Sequence, residues 1–204
     1  MRRALPRLHA ITDGRVAGRS DLAAVARALA AGSAGALALH ARGHLLSGRA
    51  HCELATVLCS SGAAVFVNDR LDIALAVGAA GVQLRPASLP PAVARRLNPA
   101  WWIGRSVHSL DEARTALAEE ADYLLVGPVY ETATHPEAAP LGTEQLGAIA
   151  RLGLPVIAIG GIVAERVPAV RRAGAYGVAA IRALWDATDP GAAAGEFVTA
   201  LAMA

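Results

Sequence analysis

The chain has 204 residues, 54% of them hydrophobic and 4% aromatic, with a formal net charge of +2. One domain over 1–204 with one large core is expected, and no apolar run reaches the ~18 residues that a membrane span needs. All 19 basic residues are arginine, so any chemistry requiring a Schiff-base lysine or a lysine of tuned pKa is excluded.

The arginines are scattered rather than gathered into a stripe with interleaved aromatics, which argues against a nucleic-acid partner. The opening MRRALPRLHAIT has basic residues but no signal-type apolar block, so an unprocessed, cytoplasmic protein without a membrane partner is expected. Cys52 and Cys59 lie in a helix-like stretch, roughly 10 Å apart along its axis, which is too far for a disulfide. They read as small core residues.

Strand-length apolar runs recur along the chain. They are LHAIT (8–12), ALALHAR (36–42), AVFVND (64–69), GVQL (81–84), WIGRSV (102–107), YLLVGPV (123–129), PVIAIGG (155–161) and GVAAIR (177–182). Between them, segments such as SDLAAVARALAAG and SLDEARTALAEEA repeat apolar residues at helical spacing behind a serine N-cap. Strand then helix, eight times over, is the pattern of an α/β fold of the (β/α)8 TIM-barrel type. A doubly wound sheet shares the alternation, but its Gly-rich dinucleotide loop is missing from ITDGRVAGRSD.

A barrel carries its site at the carboxyl ends of its strands. Those ends are polar here: Thr12-Asp13, His40-Ala-Arg42-Gly-His44, Asn68-Asp69-Arg70, Gln83, Ser106-Val-His108, the long loop after Gly127, Gly160-Gly161 and Ile181-Arg182. AIGGI before a helix can form a phosphate loop with N–H groups after the eighth strand, or can simply permit a tight turn. His40 and Arg42 share a strand face, expected to point into the barrel mouth. There the arginine could clamp a phosphate or carboxylate, and the histidine could move protons. His44 is either part of this group or a solvated loop residue. Asp69 could hold Mg2+ or a ring nitrogen, or cap the next helix. His108 stands at the start of a helix that Ser109 caps, with Glu112 completing a capping box, and is either a site residue or part of that start. His9 and His51 read as structural. No Cys/His set has zinc spacing, and no serine sits in a nucleophile elbow.

From LHAITD through VNDRLDIAL, GVQL, IGRSVHSLDEA and ADYLLVGPVYETATH to PVIAIGGI and AYGVAAI, the chain resembles the thiamine phosphate synthase and TenI superfamily. The resemblance implies a small barrel that binds a thiazole phosphate, and it leaves self-association open. Two activities are known in that superfamily. The synthases couple hydroxymethylpyrimidine diphosphate to thiazole phosphate with Mg2+, releasing pyrophosphate. The TenI proteins are thiazole tautomerases, which shift a proton to make the ring aromatic and need no metal.

Against the synthase pattern, His40-x-Arg42-x-His44 stands for Gln-x-Arg-x-Lys, Ser88 for the second of two magnesium aspartates beside Asp69, and His135 for the lysine after Thr132-x-Thr134. Against TenI, the acid/base histidine directly after the sixth-strand glycine is Pro128, and the GPVY form is the synthase's. Fewer fixed charges suit diphosphate departure poorly, so the expectation is a TenI-type isomerase without a cofactor. His135, or else His40 or His108, then transfers the proton. Arg42, His44, Asn68, Ser106, Thr132 and Thr134 are expected to bind substrate, with Gly160, Gly161, Ile181 and Arg182 at its phosphate. The alternatives are a synthase, with Mg2+ on Asp69, and a non-catalytic binder of thiamine phosphates.

Overall fold

In a computed structural model describing residues 4–43, 45–132, 137 and 139–203, eight parallel strands pair in chain order and close into a barrel. They are β1 (Leu8–Ile11), β2 (Leu37–Ala41), β3 (Ala64–Asn68), β4 (Gly81–Leu84), β5 (Trp102–Val107), β6 (Tyr123–Val126), β7 (Val156–Ala158) and β8 (Gly177–Ala180). Register runs from Ile11 opposite His40 through Phe66 opposite Gly81 to Ile157 opposite Gly177, and Leu8 opposite Val178 closes the ring. Every expected strand forms, and helices wrap the outside in the (β/α)8 arrangement.

The strands end where local geometry forbids more. The segment expected over 155–161 leaves the extended conformation because Gly160 and Gly161 have φ of 98° and 62°, a region that glycine enters at little cost. β6 stops before the cis Gly127–Pro128 peptide, although Val129 N–H still reaches Ile159 O at 2.8 Å.

Helix starts are partly as expected. Ser109 caps α6 (Leu110–Ala118) by accepting from Glu112 N at 3.1 Å, and Ser47 caps α3 (Gly48–Cys59) by accepting from Ala50 N at 3.2 Å. Before α2 (Leu22–Gly32) the cap position falls on Asp21 instead of Ser20, and the Asp21 carboxylate pairs with Arg19 at 2.7 Å. Cys52 and Cys59 are unpaired, half-buried and packed against the core.

Two apolar compartments result. One lies between barrel and helices, and includes Leu29, Leu58, Ile103, Leu146 and Val170. The other fills the barrel itself with Leu5, Ile11, Ala38, Phe66, Tyr123, Leu125, Ile157 and Ala179. Filling the interior with side chains makes the barrel a packed core rather than a pore, so a ligand can enter only at the mouth. Gly81 and Gly104 give the interior rings their room: a Cβ on Gly81 would strike Phe66 and one on Gly104 would strike Tyr123. Among the described residues no helix is long and apolar enough to cross a membrane.

Candidate active site

A cavity of 520 Å3 opens over the carboxyl ends of the strands, with Ile11, Leu125, Ile159 and Ala179 as an apolar floor. Arg42, Arg85, Arg166 and Arg182 stand around it, and Glu131 is the one acid among its described lining residues. An anion is therefore the favoured guest.

Arg42 is set by the strand end before it. The Thr12 hydroxyl accepts from Arg42 N at 2.9 Å and lies 2.9 Å from both His40 O and Arg42 O, which locks the ends of β1 and β2 together. Burial lowers the Arg42 pKa, Asp13 opposes that, and the charge of Arg85 adds to it. No carboxylate lies within 4 Å of the Arg42 guanidinium among the described residues. Asp13 is engaged elsewhere, capping α1 (Gly14–Ala17) through Val16 N at 2.8 Å.

Asp69 does not cap the helix that follows it, α4 (Leu71–Ala76), whose cap position is Arg70. It adopts φ 60° and turns its carboxylate across to the β4 loop. There Arg85 Nε donates to Oδ2 at 2.5 Å, Arg85 N donates to Oδ1 at 3.1 Å, and the Ser88 hydroxyl donates to Oδ1 as well. The same loop is braced from behind by buried Arg105, which donates to Pro86 O at 3.1 Å and Leu89 O at 3.2 Å and ion-pairs with Glu119.

His40 corrects its expected position. Its ring lies inside the barrel, fully buried, stacked on Phe66 with centroids 5.2 Å apart, and it is not in the cavity wall. His9 Nε2 is 2.9 Å from Pro6 O, which can only accept, so that nitrogen carries the hydrogen. Burial pushes the His9 pKa down to about 4 and leaves the ring neutral. His9 Nδ1 is then bare and accepts from His40 Nε2 at 2.8 Å. Burial first, and His9 second, hold His40 well below the usual histidine range too. The neighbouring Asn68 side chain opposes that shift, yet among the described residues neither the bare His40 Nδ1 nor Asn68 Oδ1 has a partner of good geometry, and Asn68 lines the cavity. His51 is structural, with Nε2 2.8 Å from Ala41 O.

A second internal chain ends at Ser106. Buried Tyr123 donates its hydroxyl to Gln83 Oε1 at 2.7 Å, and Gln83 Nε2 donates to Ser106 Oγ at 3.0 Å. Ser106 lines the cavity, and since its oxygen already accepts, its hydrogen is free to be offered to a ligand. Exposed His108 also lines the cavity, with its Nδ1 3.1 Å from Glu112. The Glu112 carboxylate closes the capping box one residue early, on His108 N at 2.7 Å.

On the far wall, Gly160 and Gly161 have a second reason to be glycine. A Cβ on Gly160 would lie 2.6 Å from Pro128, and one on Gly161 2.5 Å from Glu131 O, so the β6 and β7 loops pack backbone to backbone. Tyr130 N donates to Gly160 O at 3.1 Å. Arg166 lies 4.5 Å over the Tyr130 ring and donates to Gly161 O at 2.6 Å. Thr132, Ile181 and Arg182 complete this side. His44, Thr134 and His135 lie outside the described residues. Arg85, Arg166 and Glu131 were missed as site residues. Arg85 directly follows GVQL and could have been found by reading one residue past that strand.

A closed parallel barrel with arginines around its mouth is a (β/α)8 protein whose cavity favours an anion. Residues 8–184 match the family model described as thiamine monophosphate synthase, and the chain belongs to that family. It is 43% identical over 204 residues to the thiamine-phosphate synthase of Salinispora arenicola, covering 97% of this chain and 98% of that one. It is 41% identical over 200 residues to the thiamine-phosphate synthase of Mycolicibacterium vanbaalenii, covering 92% and 90%. The structure of a thiamine phosphate pyrophosphorylase from Pyrococcus furiosus superposes with a TM-score of 0.82 at 34% identity, over 98% of this chain and 96% of that one. These relatives overturn the expectation of a TenI-type tautomerase. Pro128 agrees with them, since it stands where the resemblance to TenI implied an acid/base histidine.

Proposed function

We propose that the chain is a thiamine phosphate synthase, coupling hydroxymethylpyrimidine diphosphate to thiazole phosphate with release of pyrophosphate. The observation that carries this reading is its similarity at 43% identity, across nearly the whole of both chains, to a protein named for that activity. The cavity is compatible with it.

When the bond to the diphosphate breaks, the electron pair leaves on a phosphate oxygen, and preorganised positive charge lowers that barrier. Arg42 and Arg85 supply fixed guanidinium charge on one side of the mouth. Asn68, Ser106 and His108 are the polar groups available to the pyrimidine. Gly160, Gly161, Thr132, Ile181 and Arg182 line the opposite wall, where the thiazole phosphate would lie. The apolar floor between them favours two flat rings and keeps water from the carbon that loses pyrophosphate, to which the thiazole nitrogen must bond instead.

The residues do not fit a resident Mg2+. The carboxylate that the resemblance assigns to the metal, Asp69, has both oxygens engaged by Arg85 and Ser88, and no group of three His, Cys, Asp or Glu gathers among the described residues. No step is routed through the ion. Purified protein given both phosphorylated substrates, with and without Mg2+, is expected to release pyrophosphate and form thiamine phosphate. Absence of release above background under both conditions would exclude the reading.

A further inference from the structure

The carboxylate at the end of β3 already has a cation. Arg85 Nε lies 2.5 Å from Asp69 Oδ2, while its two terminal NH2 groups make no hydrogen bond among the described residues and its side chain lines the cavity. We infer that Arg85 replaces a divalent ion in this protein: one edge of its guanidinium neutralises Asp69, and the other binds the pyrophosphate of substrate and product without metal. The identity of the anion rests on the synthase reading; the replacement itself rests on the Asp69 geometry.

Three observations converge on it. Ser88, where a second carboxylate would help to hold a metal, instead donates its hydroxyl to Asp69 Oδ1, so a cation entering there would have to displace both a hydroxyl hydrogen and a guanidinium. The loop that carries Arg85 and Ser88 is held from behind by Arg105 on Pro86 O and Leu89 O, which presets the position of the guanidinium before any ligand arrives. Arg42, close enough to feel the charge of Arg85, lines the same cavity with no carboxylate within 4 Å among the described residues. Together the two side chains carry the charge of one divalent ion. Their planar forks suit phosphate oxygens bidentately.

The test is calorimetric titration of inorganic pyrophosphate into the purified protein, in EDTA and in excess Mg2+. Binding in EDTA is expected, within about threefold of that in Mg2+, and Arg85→Ala should weaken the EDTA value by about tenfold or more, the range for a lost hydrogen bond to a charged group. With Asp69 released, Arg85→Ala should also regain affinity when Mg2+ is added. Arg85→Lys, which keeps a charge but loses the fork, is expected to fall between the two, and guards against a folding defect in the alanine variant. Binding by the wild type only when Mg2+ is present, binding in neither buffer, or unaltered EDTA binding by both variants would overturn the inference. Pyrophosphate release from the two organic substrates is measured separately. Metal-free binding without release removes the synthase reading alone, and release with strictly Mg2+-dependent binding removes only the role of Arg85.

Discussion

His9 and His40 meet ring to ring inside the barrel, joined by a 2.8 Å hydrogen bond that requires the accepting His9 ring to be neutral, while burial keeps His40 neutral as well. Each is held below the ordinary histidine pKa of 6.5, His9 to about 4, whereas the unfolded chain takes up protons on both near that ordinary value. Below pH 6.5 the unfolded state therefore binds more protons, and stability must fall as pH drops from 6.5 toward 4. From pH 7 to pH 5 the unfolding free energy is expected to decrease by about 2 kcal/mol through His9, with His40 acting in the same direction. Urea titrations at the two pH values measure it, and His40→Gln should flatten the dependence. A wild type equally stable at both would contradict the neutral pair.

Tyr123→Phe removes the donor to Gln83 Oε1 at the centre of the barrel and leaves a buried carbonyl oxygen unpaired. A cost of about 1–3 kcal/mol is expected. Because Gln83 also holds Ser106, KM for the pyrimidine substrate should rise while that for the thiazole phosphate stays near its wild-type value. Thermal unfolding and steady-state kinetics report the two effects separately.

Gly161→Ala puts a methyl group 2.5 Å from Glu131 O at a φ of 62°. The left-handed conformation and the forced loop displacement together should cost about 2–4 kcal/mol, and the KM for the thiazole phosphate should rise. A variant with unchanged melting temperature and unchanged KM would show that the two loops need not pack as they do.

Arg42→Ala removes a fixed charge whose backbone Thr12 locks in place. Pyrophosphate release should slow by about 10²–10³-fold in kcat/KM, the usual scale for one preorganised electrostatic group. Arg42→Lys should recover only part, since an ammonium lacks the planar fork. A loss under threefold in Arg42→Ala would remove Arg42 from the chemistry.

Much of the fold was legible because strands buried on both faces read as unbroken apolar runs, and each of the eight formed where its run lay. Their polar ends were legible for the same reason: a residue such as Arg42 or Asn68 has no place in the interior of such a strand. What escaped was side-chain pairing between neighbouring strands. His40 read as a mouth residue because strand periodicity gives the side but not the depth, and depth was set by its hydrogen bond to His9, 31 residues earlier. Asp69 read as a helix cap or a metal ligand because its partners, Arg85 and Ser88, lie 16 and 19 residues away on another strand's loop. The tautomerase expectation, drawn from the departures at His40, His44, Ser88 and His135 from the synthase pattern, shows a related weakness. Substituted site residues were weighed one at a time, and the likeness of the whole chain to named synthases outweighed them.

The fixed positive charge among the described residues of the mouth is guanidinium, in a chain without a single lysine. Guanidinium stays protonated in proteins, so alkaline solution should leave this wall's attraction for phosphate undiminished well past the point where an ammonium-lined site goes silent. It also presents no side-chain amine to aldehydes, cyanate or acylating metabolites, and such reagents should leave the pocket's anion affinity intact.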